Sequence, residues 1–144
     1  MLEIQSVNHI GIRVGEKDRS VAFYESLGFE FTSDAGFDDG HPIIMRHPCG
    51  VVINLLGPAD QKPGENILMD VPERYSGITH VALTVSSIEH ARAFMQAQGI
   101  EETGSFSFGG MSAVFMRDPD RNVIELDAYD STGEDDWGDY ANHP

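Results

Sequence analysis

Four positions of this 144-residue chain carry side chains that could share one task. His9 and His80 are 71 residues apart, and so are Asn54 and Glu125. Two imidazoles and one carboxylate that leave coordination positions open suit a divalent transition metal such as Fe(II), Mn(II), Ni(II) or Zn(II). A lone histidine at a strand start is more often an idle, hydrogen-bonded residue than a ligand. Two histidines at equivalent places of a repeat, with a glutamate on the same face, are hard to explain by packing. Glu125 also stands between Ile124 and Leu126, where a buried carboxylate needs a partner.

The spacing of 71 runs through the whole chain. Residues 9–55 match 80–126 without a gap at 14 of 47 positions, among them Val14 with Val85, Phe23 with Phe94 and Gly28 with Gly99. Met45-Arg46-x-Pro48 repeats as Met116-Arg117-x-Pro119, and Val52-Ile53-x-Leu55 as Val123-Ile124-x-Leu126. Such self-similarity marks a duplicated structural unit. Alternation and β-branched content predict strands over Val7 to Val14 and Ile78 to Val85. Helical spacing predicts Asp18 to Leu27 and Ser87 to Gln98, the second with Ser87 as N-cap. Gly28 and Gly99 follow, where a left-handed residue ends many helices. Three strands come next in each copy. They are Glu30 to Ser33, Ile43 to Arg46 and Val51 to Leu56, then Glu102 to Phe106, Ala113 to Arg117 and Val123 to Asp127.

Each unit therefore reads βαβββ, and the fold class is α+β. Two tandem modules are expected to form a curved, cleft-bearing β-sheet with helices on its outer face. The expected division is residues 1–57, a linker over 58–76, a second module over 77–128, and an acidic tail over 129–144. Neither module of about 50 residues would easily bury a core alone. In the first strand Ile10, Ile12 and Val14 belong on the helix side, so His9, Gly11 and Arg13 face the other way. The second copy puts Val81, Leu83 and Val85 on the helix side and His80, Ala82 and Thr84 opposite. Ile53, Leu55, Ile124 and Leu126 likewise leave Asn54 and Glu125 to the concave face, which is a natural ligand site.

The bulk properties narrow the partners. A net charge of −15 excludes the clustered lysines and arginines that nucleic acid or an anionic membrane requires. Much of this charge lies toward the C-terminus, from Asp127 through Asp130, Glu134, Asp135, Asp136 and Asp139, with no Lys or Arg among them. That composition suits a solvated tail, although Trp137 and Tyr140 would let it fold over the body. Apolar runs are too short to span a bilayer, and Met1 to Val7 has no signal-peptide pattern, so the expected location is cytoplasmic. The single cysteine, Cys49, fits a reducing compartment and stands in a turn sequence without an activating neighbour.

The motifs His9-Ile-Gly-Ile-Arg13-Val-Gly, Arg19-Ser20-x-x-Phe23-Tyr24 and Leu27-Gly28-Phe29 resemble the vicinal oxygen chelate superfamily, and glyoxalase I in particular. So do His80-Val-Ala-Leu-x-Val, Gly109-Gly110 and Asp118-Pro119-Asp120-x-x-x-Ile124-Glu125-Leu126. The resemblance implies a metal-dependent enzyme, with one Fe, Mn, Ni or Zn held by His9, His80 and Glu125. It further implies a lyase or isomerase acting on an oxygen-chelating substrate such as a glutathione hemithioacetal. The metal would stabilise an enediolate while Glu125 moves the proton. Arg13 matches a position similar to a glutathione-carboxylate contact in that family, and Tyr129 is a second candidate substrate contact. The family also pairs modules across homodimer interfaces.

Asn54 departs from the pattern, because the family's first carboxylate ligand falls there and a neutral amide is a weaker ligand and no base. The remaining two-histidine, one-carboxylate set also resembles the Fe(II) extradiol dioxygenases of this superfamily. A metal-free antibiotic-binding protein, as in bleomycin resistance, is the third reading; it conflicts with the retained His9, His80 and Glu125. His41, His47, His90 and His143 read as surface residues, Gly109-Gly110 as a loop or bulge, and Arg46 and Arg117 as structural.

Overall fold

The computed structural model describes residues 1–60 and 64–129. The chain divides into two compact units, residues 1–63 and 64–144. The first contains β1 (Ile10–Arg13), α1 (Lys17–Ser26), β2 (Glu30–Asp34), a short 3-10 turn (Phe37–Asp39), β3 (Ile43–Arg46) and β4 (Val52–Leu56). The second contains β5 (His80–Thr84), α2 (Ile88–Gln98), β6 (Gly104–Phe108), β7 (Met111–Arg117) and β8 (Val123–Tyr129). Each unit is βαβββ, as the repeat predicts. The strands form two four-stranded sheets, one per unit, ordered β1-β4-β3-β2 and β5-β8-β7-β6.

The duplication is exact in register even where the side chains differ. Ile10 pairs with Ile53 as Val81 pairs with Ile124, both in parallel ladders. Ile44 pairs with Asn54 as Phe115 pairs with Glu125, both antiparallel. The outer strand repeats too, with Ser33 on Ile44 and Gly104 on Phe115. A register slip of one residue would turn every side chain to the wrong face, so the shared ladder fixes what each sheet presents.

Local chemistry accounts for the elements. The Ser87 hydroxyl accepts from the His90 backbone N–H at 3.3 Å and caps α2, and Gly99 ends that helix in the left-handed region at φ 67°. Gly109 and Gly110, both at positive φ, make the two-residue turn between β6 and β7 that right-twisted strands favour. In the first unit Tyr24 of α1 is buried with its ring edge-on to Phe29, at 6.0 Å between centroids. Ile43, Met45, Ile53 and Leu55 are buried on one face of the sheet, and α2 packs on β7 and β8 in the second unit.

Several boundaries differ from the sequence reading. β1 starts at Ile10 rather than Val7, and Met1, Leu2, Ile4 and Val7 are exposed. Its ladder partner β4 begins only at Val52, so residues before His9 have no facing strand to pair with. β5 likewise starts at His80 rather than Ile78, which is exposed. β8 runs two residues further than expected and takes in Tyr129. The expected acidic tail beyond Tyr129, with Trp137, Tyr140 and His143, lies outside the described residues.

Candidate metal centre

The second sheet brings its two expected ligands into contact. His80 opens β5, and Glu125 sits on the neighbouring β8, where its ladder partners are Ala82 and Phe115. The His80 Nε2 lies 2.9 Å from Glu125 Oε2. The other ring nitrogen, Nδ1, is 2.8 Å from the Thr79 hydroxyl, which fixes the orientation of the imidazole. One side of the ring packs edge-on to Phe115, at 6.0 Å, and Phe115 stacks on Phe106 at 6.1 Å. Phe115 is fully buried, and Phe106 is half-buried.

Glu125 has a side chain only 8% exposed. Burial, then a hydrogen bond with Asp127 and that group's negative charge, push its carboxyl up to about 7. Asp127, expected at the end of the last strand and also counted among the acidic residues toward the C-terminus, lies inside β8 and is 9% exposed, and the sequence reading gives it no part in the site. Alternation along the strand places it on the same face as Glu125, and its ladder partners are Thr84 and Ala113. The signal available in the sequence was the Glu125-x-Asp127 spacing, which puts two carboxylates on one side of a strand. β8 is buried on both faces from Val123 to Ala128, whereas β4 alternates between buried and half-buried residues.

The first unit places its candidates differently. His9 is exposed just before β1, with Nδ1 2.7 Å from the Asn8 side-chain oxygen. Asn54 is half-buried in β4 and faces the same side as Gly11 and Ile44, as its repeat partner Glu125 faces Ala82 and Phe115. Arg13 is exposed at the end of β1 on that face. Tyr129 ends β8 and is 71% exposed. Among the described residues, no three or more His, Cys, Asp or Glu side chains are grouped so as to hold a metal ion. The second unit does bring two donors together, the His80 imidazole and the buried Glu125 carboxyl, beside an Asp127 Oδ1 that has no hydrogen-bond partner among the described residues.

The other candidates take structural roles. Arg117 donates to Asp70 at 3.0 Å and to the Arg121 carbonyl at 2.8 Å, while Arg121 donates to the same Asp70 at 2.7 Å. Those contacts, with the Arg121 side chain, hold Asp70 down to about 2 against the opposing effect of burial. Asp118 accepts from the backbone N–H groups of Asp120 and Asn122 and closes the turn into β8. His47 is half-buried rather than a surface residue: Nδ1 accepts from the Cys49 N–H, and the ring packs on Phe29. His41, His90 and Cys49 are exposed.

Residues 6–126 match the Glyoxalase/Bleomycin resistance protein/Dioxygenase superfamily, and the chain belongs to that family. It is similar to a lactoylglutathione lyase of Schizosaccharomyces pombe, at 27% identity over 139 residues that cover 83% of this chain and 46% of the yeast protein. The chain thus spans about half the length of that relative. Among solved structures it resembles a glyoxalase family protein from Enterococcus faecalis, with TM-score 0.68, 27% identity, and coverage of 85% of this chain and 97% of that one. It shares its fold with a lactoylglutathione lyase from Agrobacterium tumefaciens, at TM-score 0.63 and 15% identity over 87% of this chain and 94% of that one. No helix of the described residues is long and apolar enough to cross a membrane.

Proposed function

We propose that this protein is a metal-dependent lyase or isomerase of glyoxalase type, acting on a small substrate with adjacent oxygens such as a hemithioacetal. The observation that carries the reading is the contact of His80 with a buried Glu125 at 2.9 Å. A carboxyl held near neutral pH by burial is suited to taking and returning a proton. His80, Glu125 and His9 are the proposed ligands of one divalent Fe, Mn, Ni or Zn, and Arg13 and Tyr129 the proposed substrate contacts. When bound, such a metal would supply a Lewis acid for the substrate's adjacent oxygens. Glu125 would hold the migrating proton, the Phe106–Phe115 wall would limit water, and Arg13 would attract an anionic substrate such as a glutathione adduct. Cytoplasmic location and a homodimer belong to the same proposal.

The test is metal content of tag-free protein purified without chelator, beside His80→Ala, followed by hemithioacetal turnover under anaerobic conditions. About one metal per chain, lost in the variant, with turnover that needs no oxygen, is the expected result. Absence of metal after soaking in each ion overturns the reading. A second reading, Fe(II) ring-cleaving dioxygenase, is favoured by one observation: Asn54 occupies the ladder position of Glu125, which leaves two histidines and one carboxylate. Oxygen uptake with catechols by the Fe(II)-loaded protein would select it.

A further inference from the structure

Ring contacts lead outward from His80 along one face of the second sheet. The imidazole meets Phe115 at 6.0 Å, and Phe115 stacks on Phe106 at 6.1 Å. Phe108 follows two residues further along β6, so it shares the face of Phe106. Phe108 pairs with Met111 across the β6–β7 ladder, and Met111 pairs with Tyr129 across the β7–β8 ladder. Alternation puts Met111 on the face of Phe115 and Tyr129 on the face of Glu125. Exposure rises along this strip. Phe115 is fully buried, Phe106 is half-buried, Phe108 is 50% exposed and Tyr129 is 71% exposed.

The fold does not require these rings. At the repeat positions of Phe106 and Phe115 the first unit has Ala35 and Ile44. The repeat position of Phe108 is Phe37, which is buried in its own unit, with Gly57 against its ring. The strip thus belongs to the unit in which His80 meets Glu125, and its outer end is open to solvent. We propose that the substrate of this site carries a planar apolar group, aryl in the simplest case, beside its adjacent oxygens, with Phe106, Phe108 and Tyr129 as the residues that select it. The inference rests on the lyase or isomerase reading, which places the oxygens at His80 and Glu125. Successive side chains on one face of a strand are about 7 Å apart. A methyl group beside the oxygens stays level with Glu125 and Phe115, whereas a ring spans the step toward Phe106 and Phe108. There it gains offset or edge-to-face contacts that a methyl group cannot make. A flat protein surface would meet only the outer end of the strip, while a small planar group lies along it as far as the buried His80–Glu125 pair.

The experiment uses the full chain with mandelate and lactate as probes, two 2-hydroxycarboxylates that differ in phenyl against methyl. Affinities are measured by isothermal titration, with Zn(II) supplied and again in chelator. Mandelate is expected to bind at least about tenfold more tightly than lactate. Phe108→Ala and Tyr129→Ala, both at exposed positions that the fold tolerates, are expected to cut that preference several-fold while lactate affinity stays near the wild-type value. Phe108→Tyr, which keeps the ring, is expected to keep the preference. Equal affinities, no binding of mandelate, or a preference unchanged in both alanine variants overturns the inference. Self-association that is lost in Phe108→Ala or Tyr129→Ala, by sedimentation, assigns the strip to a second copy of the chain and overturns it too. Hemithioacetal turnover without a phenyl preference leaves the lyase reading standing. A phenyl preference in a chain that takes up no metal keeps the strip as a ligand surface and overturns that reading instead.

Discussion

Glu125→Gln should make the metal-free protein more stable, and the gain should depend on pH. The Glu125 carboxyl rises from 4.5 to about 7 on folding, with burial the leading cause. At about 1.4 kcal/mol per pH unit, that rise corresponds to about 3 kcal/mol. Between pH 4.5 and 7 the unfolded chain has released this proton while the folded chain still holds it. The contribution to stability is therefore complete below about pH 4.5, falls as pH rises to about 7, and stays lost above. Glutamine is neutral throughout, and its amide can donate to Asp127 while its carbonyl accepts from His80. The variant should thus match the wild type near pH 4.5 and exceed it by up to about 3 kcal/mol at pH 8. Denaturant titrations at both pH values, in chelator, measure the difference. A gap between the two proteins that does not change with pH would refute the argument that burial of this carboxylate sets its protonation. Added divalent metal should reverse the order at pH 8, because only the wild type gains a charged ligand.

Gly57→Ala should destabilise the first unit by about 3 kcal/mol, since a Cβ there would lie 1.9 Å from the ring of the buried Phe37; thermal unfolding is the check. Asp70→Asn should cost roughly 2 kcal/mol by leaving Arg117 and Arg121 without their shared carboxylate. Because Asp70 is held down to about 2, the wild type should lose this contribution only as pH falls below about 3.8, and the variant should show no such loss in acid denaturation. Phe115→Ala should cost about 3 to 5 kcal/mol in urea unfolding, as a fully buried ring is removed from between His80 and Phe106.

Much of this molecule was legible in its residues because a duplication lets one half check the other. The shared offset of 71 residues accounts for the βαβββ order and the face of each strand, since a period-two pattern assigns faces without any tertiary contact, whereas the ladder partners came from the structure. His80 and Glu125 were singled out by that pattern, and their contact followed from neighbouring positions in a parallel ladder. Strand ends were less legible, because Val7 and Ile78 have strand-like composition but no partner strand facing them. Asp127 falls in the expected last strand, but among so many acidic residues toward the C-terminus nothing in the composition marks it as a buried one. Sequence fixes a residue's type and, through alternation, its face. Only tertiary packing sets the burial that raises the Glu125 carboxyl and strands the Asp127 oxygen, because desolvation depends on what the rest of the fold lays over β8.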